Sequence, residues 1–277
     1  MKKSSKSKRI SSSDENLDEM SFFDHLEALR WHILRSVVVV IIFAIVAFIF
    51  KSFVFDSVIL APKESYFPTN RFFCHFAEKF NKDILCINQN PLKLINIKIT
   101  GQFVIHITIS LIAGLIIAFP YIIFELWKFI KPALFKNERK TARFSIFMIS
   151  LLFFMGVLLG YYLIVPISLN FLSNYIVSSA IENTINLRSY ITTLSSICFA
   201  SGIIFELPVI TYFLSKLGLV TPDVMKKFRR HAIVVILILS SILTPPDMVS
   251  QFLIAIPLFL LYEISIKISA RVVKKIE

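Results

Sequence analysis

Six membrane-spanning helices, joined so that both chain ends lie in the cytoplasm, are the fold this sequence predicts. Three observations carry that reading. Apolar residues fill 56% of the 277 positions, with 28 Phe, far outside the range of ordinary soluble domains. Leu, Ile, Val and Phe run in continuous blocks, which selects an all-α integral membrane protein over a barrel whose strands would alternate lipid-facing and lumen-facing side chains. Lys and Arg are shared unevenly between the connections: with the N-terminus in the cytoplasm, that face carries 22 and the opposite face 8, seven of them in one long loop. Long translocated loops weigh least in the positive-inside rule, so both termini are placed inside. This topology accounts for the net charge of +12 without a nucleic-acid partner.

Residues 1–20, Lys- and Ser-rich and then acidic, have no apolar periodicity and are expected to be a disordered cytoplasmic tail. They are not read as a cleavable signal peptide, because the first apolar block starts too late and is too long. A membrane domain over 21–270 follows. Ser21 opens a short amphipathic helix: it can cap, Asp24 answers it three residues later, and Phe22, Leu26, Leu29 and Ile33 recur at helical spacing. This helix is expected to lie along the cytoplasmic interface before turning into the first span. Hydropathy and length place the spans at about 34–55, 102–123, 144–165, 190–215, 231–244 and 249–266. Residues 271–277 form a second cytoplasmic tail.

The outer loop, 56–101, reads as polar and irregular, with Pro62, Pro68 and Pro91. Its Cys74 and Cys86 can pair on that oxidising side, closing a loop of about a dozen residues for roughly 3 kcal/mol in the chain-entropy description. Cys198, inside the fourth span, reads as packing. The last two spans are short: residues 232–244 make about 20 Å of helix against roughly 30 Å of hydrocarbon. The return span contains Gln251 and is interrupted by Pro257. Such a hairpin either thins the bilayer or is buried among neighbouring helices.

Glu206 is the carboxylate that stands deepest in an apolar run, ten residues before Lys216 and so roughly 15 Å inside the membrane face. A charge at that depth costs about 2.5 to 3.5 kcal/mol on translocon-derived scales. The side chain therefore binds a partner, faces water, or stays neutral and hydrogen-bonded to a Ser or Thr of a neighbouring helix. No zinc-hydrolase or nucleophile-elbow motif occurs, and six Gly leave no phosphate-cradling loop. Neither a cofactor nor a metal site is expected, and no enzyme activity. His106 with Ser110 is the one candidate pair for an intramembrane hydrolase. On the cytoplasmic side, Glu138 and Glu27 sit among basic residues. Such carboxylates are either solvated ion pairs or acceptors for planar guanidinium forks, which would favour Arg over Lys.

Phe23-Asp24-His25-Leu26-Glu27-Ala28-Leu29-Arg30 resembles the His-Leu-x-Glu-Leu-Arg start of the TatC family, the polytopic subunit of the twin-arginine protein translocase. Four more segments agree in the family's order: Leu60-Ala61-Pro62, Trp127 to Phe135 with Asn137-Glu138-Arg139, Phe205-Glu206-Leu207-Pro208, and Leu243-Thr244-Pro245-Pro246-Asp247. The resemblance implies a concave six-helix bundle in the bacterial cytoplasmic (inner) membrane. It implies a core receptor that binds the twin-arginine signal peptides of folded cargo and exports them at the expense of the proton gradient. Glu138, Glu27 and Arg30 would contact the signal peptide, with Phe129 and Pro120 shaping that loop. Glu206, near Gln251, would line a polar patch where the single-span partners TatA and TatB dock, and Pro245, Pro246 and Asp247 would form the outer turn. Self-association in a multimeric receptor complex is implied as well. One departure stands out: the motif's acid position holds Ala28, and the neighbouring Glu27 is rotated by about 100° on a helix. The rival reading is a proton-coupled secondary transporter of a small solute built around Glu206, which would require paired broken helices in an internal repeat.

Overall fold

No Gly or Pro interrupts residues 22–49, and one helix, α1 (Phe22–Ile49), runs through them without a turn. The expected surface helix and the first span are therefore a single rod. The computed structural model describes residues 22–80, 86–87, 92–130, 142–175, 178, 184–243 and 248–276. The remaining elements are α2 (Pro68–Phe80), β1 (Leu94–Ile95), α3 (Gly101–Ile130), α4 (Ala142–Leu159), α5 (Val165–Asn174), β2 (Ile185–Asn186), α6 (Leu187–Ile204), α7 (Leu207–Lys216), α8 (Pro222–Lys227), α9 (Arg229–Leu243) and α10 (Met248–Ile276).

Among the described residues, four stretches are long and apolar enough to cross a membrane: Glu27–Ile49, Gly101–Phe129, Ser145–Asn174 and Leu187–Lys216. The third joins α4 to α5 through a π turn, Gly160–Ile164, that ends two residues before Pro166. Proline has no N–H to give to the ladder, and a widened turn absorbs that loss without ending the rod. The fourth is not the unbroken span expected at 190–215. α6 stops at Ile204, Phe205 and Glu206 form a turn, and α7 starts at Leu207, one residue before Pro208. The Glu206 amide falls back to a three-residue bond with the Ile203 carbonyl, 3.0 Å, and Pro208 has no N–H to offer the Ile204 carbonyl four residues before it.

Other boundaries move outward, the third span running past the expected 165 to Asn174. α3 passes the expected end at 123 and reaches Ile130, and α10 passes through Pro257 and the expected tail to Ile276. α9 is short as expected, fifteen residues or about 22 Å.

The outer loop is more ordered than its polar composition suggested. After a π turn (Phe53–Ile59) and one 3₁₀ turn (Ala61–Lys63), α2 is anchored by Asn70, fully buried, whose amide donates to the Pro62 and Glu64 carbonyls at 3.2 and 2.7 Å. The hydroxyls of Tyr161 and Tyr190 donate to Val58 and Ile59 carbonyls at 2.7 and 2.6 Å, tying this segment to the membrane helices. β1 and β2 pair in parallel, Leu94 with Ile185 and Ile95 with Asn186. Cys74 and Cys86 are joined as a disulfide, with Cα atoms 4.0 Å apart. The core gathers Ile109 of α3, Val165 of α5, Tyr190 and Leu194 of α6 and Leu258 of α10. α4 and α6 approach so closely that a Cβ on Gly156 would stand 2.5 Å from the Ser201 carbonyl oxygen, the small-residue contact by which membrane helices pack.

Candidate functional site

Glu206 sits in the break between α6 and α7, 9% exposed, and its Oε1 is buried with no hydrogen-bond partner among the described residues. Among the described residues, no Ser or Thr hydroxyl bonds this oxygen. The backbone of Phe153 on α4 faces the carboxyl, and the Phe153 ring is itself buried and stacked on Phe119 at 3.6 Å. On the outside, Ile203 and Ile210 flank the break with about half their surface exposed. A buried acceptor without a donor costs about 1 to 3 kcal/mol, more when charged, so the break holds a standing demand for a hydrogen-bond donor.

Gln251 does not answer it. Its amide donates to the Leu237 carbonyl on α9 at 3.1 Å. Depth explains the separation. Ser215 of α7 and Ser269 of α10 are bonded at 2.7 Å and so lie level. Counting back from them, Glu206 is about 14 Å up α7 and Gln251 about 27 Å up α10.

The second cluster lies where α1 meets α3, near the N-terminal end of α1. Glu27 and Arg30 are exposed there, Phe129 is half-buried, and Pro120 sits within α3. Glu138 and the outer-turn residues Pro245, Pro246 and Asp247 lie outside the described residues. The residue that sequence reasoning missed is Glu125. It is 1% exposed, with Oε2 2.6 Å from His32 Nδ1 on α1 and Oε1 3.2 Å from Lys128 Nζ. Tyr121 stands beside it, Lys128 also lies over the Phe124 ring at 4.4 Å, and His32 meets the Phe129 ring edge-on at 6.2 Å. Below this cluster an apolar groove of about 440 Å³ runs between α1 and α3, walled by Leu29, Val37, Leu115 and Leu126, with His32 and Phe129 also in its lining.

The hydrolase pair is not assembled. His106 is stacked on Phe48 at 3.9 Å with Nε2 3.1 Å from the Phe48 carbonyl, and the Ser110 hydroxyl donates to the His106 backbone carbonyl at 2.8 Å, away from the ring.

The sequence profile of the Sec-independent protein translocase protein TatC matches residues 24–257. The chain belongs to the TatC family. Among its relatives, the Sec-independent protein translocase protein TatC of Blattabacterium sp. subsp. Periplaneta americana (strain BPLAN) is 38% identical over 260 residues, 93% of this chain and 98% of that one. The TatC protein of Aquifex aeolicus (strain VF5) is 32% identical over 262 residues, 93% of this chain and 99% of that one. A crystal structure of the twin-arginine translocase receptor TatC superposes with a TM-score of 0.66 at 32% identity, covering 88% of this chain and 97% of that one. Membership makes the chain an integral membrane component of the Sec-independent translocation machinery.

Proposed function

We propose that the chain is the core receptor subunit of the twin-arginine translocase, with six spans, both termini in the cytoplasm, seated in the bacterial inner membrane. Glu138 and Glu27 accept the paired guanidinium groups of a folded cargo's signal peptide, and Arg30, Phe129 and Pro120 shape that face. With Ala28 at the motif's acid position, Glu138 carries the larger share of the recognition. Partner single-span helices of the TatA and TatB type dock at the break beside Glu206, with Gln251 higher on the same docking face. A polar residue in a partner helix supplies the donor that Glu206 Oε1 lacks. Cargo binding shifts those helices and recruits further copies, the short α9 hairpin thins the bilayer, and the proton gradient drives export.

The single observation that carries this reading is the buried Glu206 Oε1 without a donor, placed at a helix break that opens toward exposed Ile203 and Ile210. The experiment is export of a twin-arginine reporter by Glu206→Ala and Glu206→Gln variants, together with co-purification of the small subunits. Ala is expected to lose both, and Gln, which still accepts a hydrogen bond, to retain part of each. Full activity in the Ala variant overturns the proposal.

The transporter reading draws on the same break, because discontinuous helices build midplane binding sites. Glu138→Gln separates the two. Lost reporter export with small-solute flux unchanged supports the receptor, and retained export with lost flux supports the transporter.

A further inference from the structure

At the face opposite the α1 N-terminus, α1 stops at Ile49, α3 starts at Gly101 and α6 starts at Leu187. A pocket of about 440 Å³ lies between these ends, and its lining is of two kinds. Phe55, Phe103 and Leu187 make an apolar wall; Lys51, Ser52, Asp56 and Gln102 make a polar rim. His106 belongs to the wall, since its ring is already held by the stack on Phe48 and the contact to the Phe48 carbonyl.

The local backbone explains how one cation and one anion come to share this rim. In an α-helix Lys51 and Asp56, five residues apart, would point about 140° away from each other. Here the chain widens into the π turn Phe53–Ile59, closed by the Leu60 amide on the Phe55 carbonyl at 2.8 Å. Its five-residue hydrogen bonds narrow the angle between residues so spaced. Both side chains are exposed, and no ion pair joins them among the described residues. The pocket thus presents a positive and a negative group, each with open hydrogen-bonding capacity, at the level where a bilayer's headgroups lie. Phe53 and Phe103, each about two-thirds exposed, continue the apolar surface from it.

We propose that this pocket binds the headgroup of a zwitterionic phospholipid bearing a primary amine, of the phosphatidylethanolamine class. The phosphate sits among the Lys51 ammonium, the Ser52 hydroxyl and the Gln102 amide; the lipid amine donates to the Asp56 carboxylate; the acyl chains follow Phe103 and Phe53. Asp56 also sets the selectivity. It repels an anionic headgroup that has no amine to offer, which is discrimination by an unfavourable contact with the wrong ligand. The trimethylated amine of a choline headgroup lacks the N–H groups that a charge-assisted bond requires. This site is independent of signal-peptide recognition and of the Glu206 docking role.

The test is native mass spectrometry of the full chain in detergent. It is titrated with phosphatidylethanolamine, phosphatidylglycerol and phosphatidylcholine of identical acyl chains, and with soluble glycerophosphoethanolamine. Phosphatidylethanolamine is expected to be retained over the other two lipids. Lys51→Gln lowers its retention about tenfold, the effect of losing one charge-assisted contact. Asp56→Asn brings phosphatidylethanolamine and phosphatidylglycerol to equal retention, and Asp56→Ser does the same should the Asn variant elute as misfolded. The proposal is overturned by phosphatidylglycerol binding as well as phosphatidylethanolamine to the unaltered chain, by an unchanged preference in both Asp56 variants, or by unchanged retention in Lys51→Gln. Binding of the soluble headgroup as tightly as the whole lipid also overturns it, in favour of a site for water-soluble phosphoamines.

Discussion

Replacing His32 should loosen the α1–α3 contact far more than replacing Lys128, although both touch the same carboxylate. The Glu125 side chain is 2% exposed, His32 19% and Lys128 44%. The His32 contact is short, at 2.6 Å, and nearly out of solvent, so it falls in the range of bonds to charged groups, about 1.5 to 3 kcal/mol. Lys128, at 3.2 Å and largely solvated, belongs with exposed pairs worth under about 1 kcal/mol. His32→Ala is therefore expected to cost about 2 to 3 kcal/mol and Lys128→Ala less than about 1. Glu125→Gln removes the charge that His32 serves, so the double variant His32→Ala, Glu125→Gln should cost less than the sum of the singles by about 1 to 2 kcal/mol. The readout is thermal unfolding of the purified, detergent-solubilised chain by tryptophan fluorescence. The two tryptophans, Trp31 and Trp127, adjoin His32 and Lys128 in sequence and report on this region. Equal costs for His32→Ala and Lys128→Ala, or additivity of the double variant within about 0.5 kcal/mol, would refute the reasoning.

Two further perturbations test the packing. Gly156→Val places a side chain where a bare Cβ already meets the Ser201 carbonyl oxygen at 2.5 Å and Phe205 Cβ at 2.8 Å. Overpacking of that kind costs about 1 to 3 kcal/mol, and the Tm in detergent should fall accordingly; an unchanged Tm would contradict the close α4–α6 approach. Cys74→Ser opens a bridge spanning twelve residues of sequence separation, worth about 3 kcal/mol by loop closure. It should speed proteolysis of α2 in the outer loop, and equal cleavage rates in the parent and the variant would count against the bridge.

The rods α3 and α4 were legible because long apolar runs allow little else within a membrane, whereas the continuity of α1 with the surface helix expected before it was not. Pro208 carried the signal for the break after Ile204, although the apolar run across it reads as one span. α2 was hidden because Asn, Arg, His, Glu and Lys are interspersed among the four Phe of its 13 residues, and the buried Asn70 and Ala77 mark its inner face. Glu125 escaped for a related reason. Followed by Lys128, it resembles a solvated pair in a basic loop, whereas Leu126, Trp127 and Phe129 continue the apolar helix to its end and fold the carboxylate against α1. His32 lies 93 residues away, a distance that no local pattern spans. The same limit applies to Glu206. Its depth was readable from the run that ends at Lys216, but its lack of a donor and its separation from Gln251 depend on how α4, α7, α9 and α10 are assembled.

Photocrosslinking from position 203 or 210, on the exposed surface flanking the break, tests the proposed meeting of helices most directly. In membranes that contain the single-span subunits, both positions should crosslink to a subunit's transmembrane helix, and Glu206→Ala should reduce the yield severalfold without lowering the amount of receptor. Crosslinks to lipid alone, or a yield indifferent to Glu206→Ala in both resting and cargo-bound membranes, would contradict the docking role of Glu206.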